Sequence, residues 1–360
     1  MSIETDLFGV KLQSPFIIGS GPLSYGARGL IRAHKAGAGA VVTKTIRDNP
    51  AVNPFPHMAV AGRGSMINAE EWADIPGSQW VEKEIPEAKK AGVIVIASIG
   101  HTAVEVENWV GKVDRAGSDI IELVSYERGT ILPMLKKAKA LTSKPVLVKI
   151  SPNWSDSVGI ALEALNEGAD GITAIDSIGP VLRINIETGK PLVGGNRGFG
   201  WLTGSAIKPI ALRYVAEIST ASDKPVIGLG GVTKAEDAVE MLMAGAKAVG
   251  ICTAAIVKSV EYIETLNKKL EKLIANLGYS NPDEISGKSH KYITSDTNSK
   301  EFDFIFNADS CTECMACVKA CAYEARALEN KVMSLDNEIC RYCGLCYSVC
   351  PTGALSPDFL

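Results

Sequence analysis

Short apolar blocks recur through the first 250 residues: Phe16-Ile17-Ile18, Val41-Val42, Val93-Ile94-Val95-Ile96, Ile120-Ile121, Val146-Leu147-Val148, Gly171-Ile172-Thr173, Val226-Ile227-Gly228 and Ala248-Val249-Gly250. Between them run Ala-rich stretches of helical period, such as Ala161-Leu162-Glu163-Ala164-Leu165 and Ala238-Val239-Glu240-Met241-Leu242, each followed shortly by a glycine suited to ending a helix. A strand apolar at every position has no face to give to water, so the pattern predicts a parallel sheet covered on both sides by helices. Eight strand–helix units in about 250 residues fit a closed (β/α)8 TIM barrel better than an open doubly wound sheet.

The pattern changes after residue 260. A last helix is predicted from about Val260 to Asn276, stopping at Gly278, and the polar run from Tyr279 to Lys300, with Asn281-Pro282-Asp283, reads as a linker. The expected division is a barrel over 1–278, a linker over 279–302 and a small domain over 303–360.

That small domain holds eight of the nine cysteines, in two runs of one spacing: Cys311-x2-Cys314-x2-Cys317-x3-Cys321 and Cys340-x2-Cys343-x2-Cys346-x3-Cys350-Pro351. Both match the bacterial two-cluster ferredoxin pattern, in which the fourth cysteine of each run ligates the other 4Fe-4S cluster. The expected quartets are therefore Cys311, Cys314, Cys317 with Cys350, and Cys340, Cys343, Cys346 with Cys321. The other reading is a pair of tetrahedral zinc sites, but those usually pair two short CxxC knuckles rather than three evenly spaced cysteines plus a fourth. The first run has Ala322 where a proline often follows.

Charge sharpens the picture. Residues 303–360 carry four Lys or Arg against eight Asp or Glu, which accounts for the whole net charge of -4 and puts the acidic surface at the redox end. Nothing is basic enough to advertise a nucleic-acid partner. The N-terminal Met1-Ser2-Ile3-Glu4-Thr5-Asp6 has no basic or long apolar run, and no 18-residue apolar stretch follows, so a cytoplasmic protein without a membrane span is expected.

Barrel active sites form at the C-terminal ends of the strands. The seventh ends Gly228-Leu229-Gly230-Gly231-Val232 and the eighth Gly250-Ile251-Cys252-Thr253-Ala254, where backbone N–H groups and paired glycines suit a phosphate. A simple tight turn is the plain alternative, and Cys252 alone reads as a small core residue. The second strand ends Val42-Thr43-Lys44-Thr45 and the fifth Val148-Lys149-Ile150-Ser151-Pro152-Asn153. A lysine there cannot reach bulk water freely, so it needs an anionic or electron-rich partner: one shared ligand, or a separate carboxylate for each.

These features make the chain resemble the dihydroorotate and dihydropyrimidine dehydrogenase family, in particular a flavin barrel with a C-terminal two-cluster module. The likeness rests on Asp6-Leu7-Phe8-Gly9-Val10-Lys11-Leu12-Gln13-Ser14-Pro15, Gly19-Ser20-Gly21-Pro22, Thr43-Lys44, Gly64-Ser65-Met66-Ile67-Asn68, Lys149 with Pro152-Asn153, Ala169-Asp170-Gly171-Ile172-Thr173-Ala174, the run from Leu202 to Arg213, and Gly230-Gly231. The resemblance implies FMN at the barrel mouth, with Ser20, Gly21, Thr43, Lys44, Asn68 and Lys149 near its ring and ribityl chain. It implies that Gly204, Gly230, Gly231, Cys252 and Thr253 cradle the phosphate. Asn68 and the Asp176-Ser177 pair match substrate-touching positions, with Asp176 where an Asn is usual. A homodimer is expected on the same ground.

The likeness breaks after the fourth strand. The family usually has Asn-x-Ser-Cys-Pro and a long loop whose Cys or Ser moves a proton at the substrate; here the run is Ile121-Glu122-Leu123-Val124-Ser125-Tyr126-Glu127-Arg128-Gly129. Hydride transfer to one carbon of a C=C needs a proton for the other. Ser125, Tyr126 and Glu127 are the candidate replacements, beside Lys44, with His101 as a further one; an exposed Glu127–Arg128 ion pair with Tyr126 merely packed is the plain alternative. The expected function is a flavin and iron–sulfur oxidoreductase exchanging hydride with a small carbonyl-conjugated CH–CH or C=C substrate other than uracil or orotate. Its electrons would pass through two 4Fe-4S clusters to a protein partner, a ferredoxin or an NAD(P)H-flavin subunit, since no G-x-G-x-x-G follows a strand. Two other readings stay open: a dihydropyrimidine or dihydroorotate dehydrogenase proper with an unusual proton donor, and an electron-transfer subunit with no substrate of its own.

Overall fold

The computed structural model describes residues 2–293 and 302–358, which divide into two compact units, Met1–Thr294 and Ser295–Leu360. In the first, eight parallel strands close a barrel: β1 (Phe16–Ile18), β2 (Ala40–Val42), β3 (Val95–Ile99), β4 (Ile120–Val124), β5 (Val146–Lys149), β6 (Gly171–Ala174), β7 (Val226–Leu229) and β8 (Ala248–Ile251). Each pairs with the next, and β8 returns to β1 through Val249 against Phe16. The third strand starts two residues later than the apolar run that announces it. Every residue of β3, β4 and β5 is buried, which is why these strands read as unbroken apolar runs rather than alternating ones.

Inside the barrel, polarity changes along the axis. At the N-terminal end Ile17, Ala40, Val42, Ile96, Ile120, Leu147, Ile227 and Ala248 form one apolar cluster with Leu7 and Leu12. Those two leucines belong to an antiparallel hairpin, Thr5–Leu7 with Val10–Leu12, which plugs that end. Toward the C-terminal ends the interior turns polar: Thr43 Oγ1 accepts from the Ser98 amide at 3.0 Å, and Thr173 Oγ1 donates to Glu122 Oε2 at 2.8 Å.

Two long excursions leave the C-terminal end and pair with each other, a feature the strand count did not announce. Met58–Gly62 and Ser65–Asn68 follow β2, Ile178–Val181 and Gly200–Gly204 follow β6, and together they make a four-stranded antiparallel sheet. Its central pair sets Trp201 opposite Asn68 and Gly204 opposite Ser65.

The expected linker is corrected over residues 279–293, which fold onto the barrel. The last barrel helix, Tyr262–Asn276, ends as expected, but Ile285 is then fully buried, Lys247 Nζ meets Asp283 Oδ1 at 2.7 Å, and Ser286 Oγ donates to the Ala246 carbonyl at 3.1 Å. Asn281 caps the short turn Pro282–Glu284, so the polar residues that suggested a linker are the caps and ion pairs of a docked segment.

The second unit is built from two similar halves. Phe304–Phe306 pairs with Leu355–Pro357, Arg326–Glu329 pairs with Val332–Leu335, and each cysteine run carries one short helix, Ala316–Lys319 or Leu345–Ser348. No helix among the described residues is long and apolar enough to cross a membrane.

The docking of residues 279–293 is testable. Ile285→Ala is expected to destabilise the barrel by about 2–4 kcal/mol in denaturant titrations, as for other buried Ile truncations; an unchanged midpoint would restore the linker reading.

Candidate functional site

The C-terminal ends of the strands and the antiparallel sheet line a cleft. Most of the expected cofactor residues meet there: Ser20, Gly21, Lys44, Asn68, Lys149, Gly204, Gly230, Gly231, Cys252 and Thr253, joined by Asp176 and Ser177. Thr43 does not. Lys44 turns into the cleft, whereas Thr43, just past β2, is fully buried in the barrel interior and its Oγ1 accepts from the Ser98 amide.

Both cleft lysines are buried and already paired. Lys44 Nζ lies 3.0 Å from Glu70 Oε2 and donates to the Glu71 carbonyl at 2.7 Å. Lys149 Nζ lies 3.2 Å from Asp176 Oδ1, with Glu122 buried beside it. Burial by itself lowers the pKa of the Lys149 ammonium, but Asp176 and Glu122 outweigh that and raise it. Glu122 is raised by its burial, against the pull of Lys149, and its Oε1 has no hydrogen-bond partner. Burial pushes the Cys252 thiol up to about 11, so it stays protonated at neutral pH and is no nucleophile.

Part of the cleft wall is glycine backbone. A methyl group on Gly204 (φ +85°) would lie 2.1 Å from the Gly64 carbonyl oxygen, and one on Gly231 (φ +80°) within 2.8 Å of the Lys208 backbone. These positions need glycine, and the chain there presents peptide groups rather than side chains. Thr253 Oγ1, from the turn after β8, donates to Thr203 Oγ1 at 2.9 Å. Buried ammonium groups together with glycine backbone and a threonine hydroxyl in one cleft are a donor set that fits a flavin ring and its phosphate.

The loop after β4 resolves the three proton-transfer candidates differently. Ser125 is fully buried, with its Oγ within 3.1 Å of His101 Nδ1 and 2.6 Å of Thr130 Oγ1. The Glu127 side chain is 71% exposed and stands 3.8 Å from His101 Nε2, so His101 is a packed partner rather than a solvated one. Neither Ser125 nor Glu127 lines the cleft; Tyr126 does. Its ring stacks on Trp72 at 4.7 Å and on Trp201 at 5.2 Å, in one continuous pile of three. That packing, with Asp176 and Glu71 nearby, raises the phenol pKa well above its usual value. Trp72, Trp201, Glu70 and Glu71 are cleft residues that sequence reasoning missed; isolated aromatics and acids in loops carry no periodicity. Their only signal was proximity to the Gly64–Asn68 and Leu202–Arg213 motifs.

In the second unit, one cavity is lined by Cys311, Cys314, Cys317 and Cys350, and another by Cys321, Cys340, Cys343 and Cys346. Each draws its fourth cysteine from the other run.

A closed parallel barrel with such a cleft, joined to a unit with two cysteine quartets, defines a flavin- and iron–sulfur-dependent oxidoreductase. The family described as dihydroorotate dehydrogenase matches residues 2–274, and a 4Fe-4S dicluster domain matches residues 290–355. The chain belongs to the dihydroorotate dehydrogenase family, whose members act on CH–CH groups, with FMN and 4Fe-4S clusters as its cofactors. It is 33% identical over 311 residues to the catalytic subunit of dihydroorotate dehydrogenase B (NAD(+)) of Pyrococcus furiosus, covering 81% of this chain and 100% of the relative. It is 36% identical over 304 residues to the subunit of the same name from Methanosarcina mazei, covering 80% and 95%, and 33% identical over 308 residues to that from Bacillus pumilus, covering 81% and 97%.

The glycine wall gives a direct test. Gly204→Ala is expected to reduce the FMN content of the purified protein at least tenfold while leaving its iron content intact; full flavin occupancy would remove that wall from the binding site.

Proposed function

We propose that this chain interconverts a CH–CH group and a conjugated C=C bond in a small, flat, uncharged carbonyl compound, and exchanges the electrons with a protein partner through its two cysteine quartets. The observation that carries this reading is the position of Tyr126, the single member of the expected Ser125, Tyr126, Glu127 trio that lines the cleft. Bound FMN supplies hydride exchange with carbon and one-electron exchange with iron–sulfur clusters. Lys44, Lys149 and Asn68 hold the ring side of the cofactor; Gly204, Gly230, Gly231 and Thr253 hold its phosphate.

The chain's own chemistry then concerns a proton and a plane. Tyr126 Oη keeps its proton through and beyond neutral pH because its pKa is raised. A protonated phenol can give its proton to carbon as the C=C bond is reduced, and the phenolate left behind takes a proton back from solvent before the next turnover. Trp72 and Trp201 extend the Tyr126 ring into a flat apolar wall suited to an unsaturated ring or enone.

Substrate charge follows from the lysines. The cleft's ionisable lining is Lys44 and Lys149 against Glu70, Glu71 and Asp176. Both cations are carboxylate-paired, so a carboxylate on the substrate finds no free partner, and this separates the expected substrate from dihydroorotate. One cluster is assigned to Cys311, Cys314, Cys317 and Cys350, the other to Cys321, Cys340, Cys343 and Cys346. The relatives are named catalytic subunits, and the partner proposed here is a ferredoxin or an NAD(P)H-flavin subunit.

A second reading, in which the chain relays electrons without a substrate, draws on the same three-ring pile: a stack that fills the space beside the cofactor leaves no seat for a substrate.

Stopped-flow reoxidation of the reduced protein distinguishes these. Uncharged enones or cyclic imides other than uracil are expected to reoxidise it and orotate is not; rapid reoxidation by orotate would refute the charge argument, and none by any acceptor would favour the relay. Tyr126→Phe is expected to slow reoxidation by 10²- to 10⁴-fold with unchanged flavin content. Because the phenol pKa is raised, the wild-type rate should show no alkaline loss from this group up to about pH 10.

A further inference from the structure

The two halves of the cysteine unit share one cysteine spacing but differ in charge at one buried position. Arg326 and Leu355 each stand five residues after the last cysteine of their run, Cys321 and Cys350, and each follows a buried alanine, Ala325 or Ala354. Each opens a short strand, Arg326–Glu329 or Leu355–Pro357. Leu355 lines the cavity of Cys311, Cys314, Cys317 and Cys350, whereas Arg326 lines that of Cys321, Cys340, Cys343 and Cys346. An apolar residue is what such a cavity wall ordinarily takes; a guanidinium is not.

Arg326 is 5% exposed and joins none of the ion pairs among the described residues. Its Nη2 has no hydrogen-bond partner, and its Cζ sits 4.3 Å from the centre of the Phe304 ring. Ring contact alone does not compensate a buried, permanently charged group. The counter-charge missing from the protein is the one that four thiolates and their cluster provide.

We infer that Arg326 is the counter-ion of the cluster held by Cys321, Cys340, Cys343 and Cys346, and that it raises this cluster's reduction potential above that of its twin. Reduction adds one electron to a cluster and neither makes nor breaks a bond, so the ligated cluster gains one negative charge. A fixed buried cation in the wall of the cluster's cavity stabilises the more negative state. Leu355 offers the other cluster no such charge. Two quartets of identical spacing would otherwise have similar potentials; Arg326 gives the pair an order, with electrons resting preferentially on the Arg326 side. Arg326 acts through the cluster's environment, as a positioning and tuning residue rather than a catalytic one.

The inference rests on the quartets holding clusters, which the iron and acid-labile sulfide content of the wild-type holoprotein tests by itself. The discriminating experiment is an anaerobic redox titration of the holoprotein followed by EPR, with the cysteine β-proton signals in paramagnetic NMR assigning each step to its quartet. The wild type is expected to titrate in two steps, with the Arg326-side cluster reduced first. Arg326→Leu, which copies the other half, is expected to lower that cluster's reduced-to-oxidised ratio at fixed potential about tenfold, a shift of about 59 mV for one electron, and to bring the two steps together. Arg326→Lys keeps the charge and should keep the order of reduction. If Arg326→Leu fails to hold its clusters, Arg326→Gln, neutral but polar, carries the same comparison. Unchanged potentials in the neutral variant, or equal lowering of both clusters, would overturn the inference.

Discussion

The barrel depends on where its interior stops being apolar. At the plugged end, side chains from the strands and the N-terminal hairpin fill the space with hydrocarbon. A few residues further along the same strands, Lys149 stands between Asp176 and Glu122 with almost no access to water. A buried cation of this kind persists only when carboxylates of fitting geometry surround it, and losing one of them typically costs several kcal/mol. The sequence around the cleft is therefore coupled: β4, β5 and the loop after β6 each contribute one member of a charged group, and none can change alone.

That coupling explains what was legible beforehand. A strand buried on both faces announces itself by unbroken apolar runs, so all eight barrel strands could be read, and a lysine ending such a run stands out as needing a partner. What could not be read is which of two adjacent polar residues faces the ligand. Thr43 and Lys44 look equally suited, as do Ser125, Tyr126 and Glu127, yet each set lies just past the end of its strand, where the course of the loop backbone decides which side chain reaches the cleft. Composition misled over residues 279–293 because a docked segment capped by Asn281 and tied by Asp283 uses the same residue types as a linker, with Ile285 alone marking the difference.

The aromatic pile joins distant parts of the chain. Trp72 arrives from the excursion after β2, Trp201 from that after β6, and Tyr126 from the loop after β4. Three segments remote in sequence converge on one wall, and since each contributes a single ring, no local pattern foretells it. Trp154 Nε1 donates to the Tyr126 carbonyl at 2.9 Å, so a fourth segment holds the backbone of the central ring in place. The wall is thus fixed from both its faces and from behind.

The N-terminal plug bears on traffic through the molecule. With Leu7 and Leu12 sealing one end of the barrel, the cleft is a sack with a single opening rather than a tunnel. Whatever small molecule enters must leave by the way it came, and its oxidised and reduced forms contend for the same seat. A product that lingers there acts as a stopper, which ties the pace of successive turnovers to how quickly the cleft is vacated.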